Sequence, residues 1–159
     1  MYGERLLWEV VFNGVKGNTF VVELKYNAGQ REEYLTMIGR VGHAWVEIFE
    51  GNTDFYSANY WDLLTGLWRA HAPVRKTDVL GSMKAIRSAH TAGKYVDEAL
   101  KQGFIIEHEN PEDARSKLVE LSPDMRVRLD SFFDNAVGFV RQTNRKIDIL
   151  GPSPEEPSI

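Results

Sequence analysis

Cysteine is missing from all 159 positions of the chain. Its absence excludes disulfides and thiolate metal sites and fits a cytoplasmic protein. No apolar run approaches the roughly 20 residues of a membrane span, so no membrane association is expected. No basic segment followed by an apolar stretch opens the sequence, so no signal peptide is read there. Gly-rich phosphate loops and nucleophile elbows are also lacking. The adjacent acids Glu32-Glu33 and Glu155-Glu156 read as surface or tail pairs. His43, His71, His90 and His108 show no metal-ligand spacing. These absences argue against an enzyme and give no reason to expect a cofactor or metal.

An apolar content of 43% and a charged content of 26% are those of a globular chain. The net charge of −4 is unevenly divided. Residues 1–68 hold 5 Lys/Arg against 9 Asp/Glu, residues 69–117 hold 9 against 7, and residues 118–159 hold 5 against 7. Arg75, Lys76, Lys84, Arg87 and Lys94 fall within one short stretch with Asp78 as its single acid. Phosphate binding needs a local patch of this kind, because fields decay over about 8 Å in physiological salt. A solvated helical face would have the same composition.

Residues 1–26 contain LLWEVVF and TFVVELKY, separated by Asn13-Gly14 and Gly17-Asn18. This reads as a β-hairpin, although Leu7, Val10 and Val11 could share one face of a short helix. From Gln30 to Glu50, the spacing of Tyr34, Ile38, Val41, Trp45 and Ile48 predicts a helix. Gly51-Asn52 ends it, and Thr53 or Asp54 is expected to cap a second helix reaching about Ala70, with Tyr56, Tyr60, Leu63, Leu64, Leu67 and Trp68 inward. Pro73 stops that helix. A two-turn helix over residues 75–83 follows, with Val79, Leu80 and Met83 inward. The last helix starts at Ser122-Pro123, where a capping hydroxyl precedes proline at the first helical position, and is expected to reach about Arg145. The closing GPSPEEPSI has no apolar period and reads as a disordered tail.

The stretch from Ser88 to Ser122 bears most directly on function. Ser88 is expected to cap a helix to Gln102, with Ala92, Tyr95, Val96 and Ala99 inward, and Gly103 stands at its left-handed end. Strands over 104–109 and 116–121 flank the turn NPEDAR. Helix, strand, charged turn and strand is the order of a winged helix-turn-helix. Ser88, His90, Thr91 and Lys94 would form the exposed first turns of its helix, able to reach base edges or phosphate. Asp113 can accept from nearby backbone N–H groups or from Arg115. A held Arg115, with Lys117 beside it, would point a cation out of the hairpin towards a groove. Lys76 would add a phosphate contact.

These residues resemble the multiple antibiotic resistance regulator (MarR) family of bacterial winged-helix regulators. The likeness spans about Asp54 to Arg145 and is strongest in VDEALKQGFIIEHENPEDARSKLVELSPD. It implies an α+β, mainly α fold: a winged helix-turn-helix with N- and C-terminal dimerisation helices. Residues 75–83 become the support helix, 88–102 the recognition helix and 104–121 the wing, with Asp113 and Arg115 in the family's wing positions. The N-terminal hairpin has no counterpart in that pattern. The implied organisation is residues 1–52 as hairpin plus dimerisation helix, 53–122 as DNA-binding region, 123–146 as C-terminal dimerisation helix and 147–159 as tail. The resemblance also implies a homodimer on double-stranded, pseudo-palindromic DNA and a small aromatic effector. Trp45, Phe49, Phe132, Phe133 and Phe139 are the interface candidates. Tyr60, Trp61, Trp68 and His71 are the candidates for an effector pocket, though aromatics at helical spacing also make plain core. The alternative is a winged-helix module for protein–protein assembly, motivated by the acidic balance and the arginine-poor recognition helix.

Overall fold

A computed structural model describes residues 24–83 and 88–152. The N-terminal hairpin expected over residues 1–26 falls almost wholly outside the described residues, as do the last seven residues of the tail.

Helix α1 spans Ala28–Glu47. It starts two residues before the expected Gln30 because Asn27 and Gln30 form a capping box. The Asn27 side chain accepts from the Gln30 N–H at 2.9 Å, and the Gln30 side chain accepts from the Asn27 N–H at 3.0 Å. A 3-10 turn, Thr53–Phe55, follows. Asn52, rather than Thr53 or Asp54, caps it by accepting from the Asp54 N–H at 2.9 Å. Helix α2 is Ala58–Ala70, capped by Ser57, so the single helix expected from Asp54 is two pieces. It ends at His71, which is left-handed with φ 55°, a conformation that histidine tolerates better than most residues. Strand β1 (Val74–Arg75) leads directly into α3 (Lys76–Ser82). Helix α4 covers Ala89–Lys101, and left-handed Gly103, with φ 72°, turns the chain into β2 (Ile105–Glu109). Strand β3 (Lys117–Leu121) precedes α5 (Pro123–Leu150). Ser122 caps α5 as expected, accepting from the Met125 N–H at 3.2 Å. The helix runs past Arg145 to Leu150, so residues 147–150 are helix and not tail.

The three strands form an antiparallel sheet in the order β1-β3-β2. Ile105 faces Leu121, and Val119 lies between Glu107 on one side and Val74 on the other. Alternation along the hairpin turns Ile105, Val119 and Leu121 into the core. They meet Leu63, Leu64 and Leu67 of α2, Val96 and Ala99 of α4, and Met125 and Leu129 of α5 in one cluster. Helices α2, α3 and α4 and a three-stranded sheet, whose strands β2 and β3 form the wing, make the winged helix-turn-helix fold around this core, α+β and mainly α.

Helices α1 and α5 run antiparallel beside that core. Polar contacts stitch them together along their length. Arg128 donates to the Ile48 carbonyl at 2.9 Å, Arg40 to Gln142 at 2.7 Å, and Lys146 pairs with Glu33 at 3.2 Å. The expected apolar stripe of α1 is only partly covered. Trp45 is buried, Val41 and Ile48 are half-buried, and Tyr34 and Ile38 face solvent. Tyr56, expected inward, is exposed because it lies in the break between the 3-10 turn and α2. No helix among the described residues is long and apolar enough to cross a membrane.

Candidate nucleic-acid interface

Helix α4 is amphipathic in a simple way. Its buried side is made of small residues, Ala92, Val96 and Ala99, with Tyr95 and Leu100 half-covered. At about 100° per residue, the opposite stripe carries His90, Lys94, Asp97 and Lys101. Ser88, His90, Thr91 and Lys94 are all exposed. Ser88 is the N-cap residue, but its hydroxyl makes no capping bond, contrary to expectation. The first-turn N–H groups of α4 therefore keep their capacity to bind an anion.

The wing tip is built by side-chain acceptors. The Asn110 side chain accepts from the Glu112 N–H at 3.0 Å and donates to the Ser116 hydroxyl at 2.7 Å. Asp113 accepts from the Arg115 N–H at 3.0 Å, and its carbonyl accepts from the Ser116 N–H at 3.0 Å. The Asp113 carboxylate thus fixes the backbone of Arg115 and leaves the guanidinium out of the bond. Arg115 is exposed and has no ion pair among the described residues, and the same holds for Lys94.

Two other expected cations are already engaged. Lys117 pairs with Glu109 across the hairpin. Lys76 stands 3.0 Å from Asp97 of α4 and 3.5 Å from Glu107 of β2, with its side chain only 30% exposed. Neither is a free charge at the surface. The wing also carries Glu107, Glu109, Glu112 and Asp113, so its cationic character is confined to the region of Arg115.

The four residues expected to form an effector pocket do not converge. Tyr60 is buried between Phe55 and Tyr95, with ring centroids 5.0 and 5.1 Å away. Burial is the main reason its phenol pKa is raised above 10.0, and the charges of Glu98, Tyr95 and Asp54 add to the shift. Trp68 stacks against Phe133 at 4.5 Å and donates its indole N–H to Asp130 at 2.7 Å. His71 lies at the edge of that pair, 6.4 Å from Trp68. Trp61 lines an apolar hollow of about 400 Å³ shared with Ile38, Val41, Gly42, Trp45 and Tyr56. A Cβ on Gly42 would stand 3.0 Å from the Tyr56 phenolic oxygen, so the glycine is what lets that ring close over α1. Spacing along α1 could have suggested Ile38, Val41 and Trp45, but the place of Tyr56 depends on the break before α2.

Three of the five interface candidates lie in the chain's own core. Trp45, Phe49 and Phe132 are each 5% exposed or less. Trp45 packs on Phe132 at 5.4 Å and donates its indole N–H to the Phe55 carbonyl at 3.3 Å. Phe133 is half-buried against Trp68, and Phe139 lies beneath the Arg40 guanidinium at 4.1 Å. The exposed apolar residues on these helices are different ones, and Leu35, Val127, Ile149 and Leu150 are exposed on other sides of them. Tyr34 and Ile38 of α1, Trp61 of α2, and Val137 and Val140 of α5 are between 39% and 59% exposed. Helical spacing puts all five on the side of the α1–α5 pair where Trp61 packs.

No protein-family model matches this chain, and no curated protein sequence matches it. Among solved structures it is similar to a MarR-like transcription regulator from Bacillus cereus, with a TM-score of 0.47 and 15% identity over 71% of this chain and 75% of the other. A transcriptional regulator from Pseudomonas aeruginosa gives a TM-score of 0.44 and 25% identity over 72% and 78%. BpsR of Bordetella bronchiseptica, whose DNA binding is regulated by 6-hydroxynicotinic acid, gives 0.41 and 17% over 79% and 82%. The class of this protein, a winged helix-turn-helix, rests on its own elements: helix α3, the exposed helix α4, a three-stranded sheet and a hairpin wing with Arg115 exposed at its tip.

Proposed function

We propose that this chain is a MarR-like transcriptional regulator that binds duplex DNA as a homodimer in the cytoplasm. The observation that carries the reading is Arg115, an unpaired guanidinium on a hairpin tip whose backbone is fixed by Asp113. The second element is α4, whose outer stripe and open N-terminus present His90, Thr91, Lys94 and Ser88. Arg115 enters a minor groove or meets phosphate, Lys94 neutralises a phosphate, and Ser88, His90 and Thr91 contact base edges. With Lys76 and Lys117 already paired, phosphate neutralisation by the expected contact residues is modest.

The dimer forms through the α1–α5 face that carries Tyr34, Ile38, Trp61, Val137 and Val140. A two-fold axis through such a face doubles every contact and sets two recognition helices against a pseudo-palindrome. The apolar hollow beside Trp61 is the better candidate for a small aromatic effector, since aromatic and aliphatic side chains line it with the Tyr56 hydroxyl among them.

Selection of bound sequences from a random duplex pool at low salt tests the proposal. Enrichment of an inverted repeat is the expected result. A second reading, a protein–protein assembly module, is favoured by the acids of the wing and by the engagement of Lys76 and Lys117. Absence of any bound duplex at micromolar protein selects that reading instead.

A further inference from the structure

The fully buried side of α4 is made of small or compact residues, Ala92, Val96 and Ala99, so rotation about its own axis is resisted in the core mainly by Tyr95, whose ring packs on Tyr60 at 5.1 Å. Rolling would turn His90, Lys94 and Asp97 together, because they share the outer stripe. Among the described residues, one ion-paired group ties the outer stripe to other elements. The Lys76 ammonium, at the first residue of α3, reaches Asp97 at 3.0 Å and Glu107 at 3.5 Å. It joins the support helix, the recognition helix and the base of the wing at a single point.

We propose that Lys76 is a positioning residue that sets the rotation of α4 relative to the wing through Asp97 and Glu107, and that it is not a phosphate contact. The part of this inference that concerns DNA rests on the function proposed above, while the mechanical part does not. Two carboxylates hold the ammonium in place from different elements, so loss of Lys76, or of both carboxylates, removes the tie between α4 and the wing. The geometry also accounts for an acid on the DNA-facing stripe. Asp97 there would repel phosphate if it were uncompensated, and it is retained as one half of the lock.

The test uses the full chain in four forms: the parent, Lys76→Met, Asp97→Asn with Glu107→Gln, and all three changes together. Amide hydrogen exchange across residues 89–101, measured without DNA, is expected to quicken in Lys76→Met and to the same extent in the double variant. Exchange unchanged from the parent in Lys76→Met overturns the lock, whether or not the protein binds DNA. Duplex affinity is measured as a function of salt on the same four proteins. Lys76→Met is expected to bind about fivefold more weakly than the parent, but less than about twofold more weakly when introduced into the double variant, because the lock is already open there. An equal loss in both backgrounds, with a salt slope lower by about 1 in each, would show a direct phosphate contact and overturn the proposal. A parent that binds no duplex removes the DNA reading, and the exchange measurement then decides the lock alone.

Discussion

The Asn27 side-chain amide donates to the Leu150 carbonyl oxygen at 2.9 Å, across 123 residues of chain. Gln30 adds bonds to the carbonyls of Ile147 and Gly151, both at 3.3 Å. The two residues that cap the start of α1 therefore also satisfy the last carbonyls of α5. The clasp is tight: a Cβ on Gly151 would lie 2.9 Å from the Asn27 amide nitrogen. It closes the far end of the α1–α5 pair, where the core does not reach.

The first prediction concerns this clasp. Gln30 is 4% exposed, so removing its amide strands buried partners and costs more than a surface bond would. Gln30→Ala is expected to lower stability by about 1–2 kcal/mol. The loss should appear as a lower urea midpoint with unchanged slope. Hydrogen exchange should quicken first at the ends of α1 and α5. Gly151→Ala, which crowds the same amides, is expected to loosen the clasp by a smaller amount.

The second prediction separates the two wing residues. Arg115→Ala should weaken duplex binding and lower the salt slope by about 1, with no change in folding stability. Asp113→Ala removes the acceptor for the Arg115 N–H and also one negative charge near the tip. Added net charge alone would strengthen binding. Loss of a fixed Arg115 should weaken it, and the weakening is expected to win. Tighter binding by Asp113→Ala would mean that the carboxylate has no positioning role in the wing.

Much of this fold was legible because its signals are local. Ser122-Pro123, Gly103 and the turn NPEDAR each act within a few residues, and each stands where its chemistry implies. Strand β1 was not legible. Val74 and Arg75 are a strand only because Val119 and Leu118 lie beside them. The apolar period of α1 showed that a face exists but not what covers it. Trp45 is therefore buried within its own chain, while Tyr34 and Ile38 are exposed. Charge counting failed for Lys76 and Lys117 for a related reason: a sum over sequence cannot see that Asp97, Glu107 and Glu109 have already claimed those cations. Lys94 and Arg115 were identifiable as basic residues but not as ones that make no ion pair among the described residues.

A third prediction tests the apolar face. Placing a carboxylate at Ile38 or Val137 costs little in a monomer, since both side chains already face solvent. In a dimer built on that face, each change appears twice near the two-fold axis, unpaired and desolvated. Ile38→Asp and Val137→Asp are therefore expected to shift the protein to monomer in sedimentation velocity, with the thermal midpoint extrapolated to low concentration unchanged. Phe139→Asp serves as the contrast, because its ring lies on Arg40 of the same chain. It should leave the assembly intact. Retention of a dimer by both Ile38→Asp and Val137→Asp would place the interface elsewhere.

The fourth prediction follows from the burial of Tyr60. Its phenol is held above the ordinary value of 10.0, first by desolvation and then by the negative charges around it. A raised folded-state pKa means that the native protein keeps a proton which the unfolded chain releases first. The associated stability is fully present below pH 10 and is lost as pH rises through the folded pKa. Lysines titrate in the same window, so the comparison must be internal. Tyr60→Phe keeps the ring contacts with Phe55 and Tyr95 and removes the ionisation. The parent is expected to lose stability more steeply than Tyr60→Phe above pH 10, and the two should run parallel between pH 6 and pH 9. Chemical denaturation at a series of pH values measures the difference. Parallel curves throughout the alkaline range would mean that the phenol ionises as freely in the folded protein as in the unfolded chain.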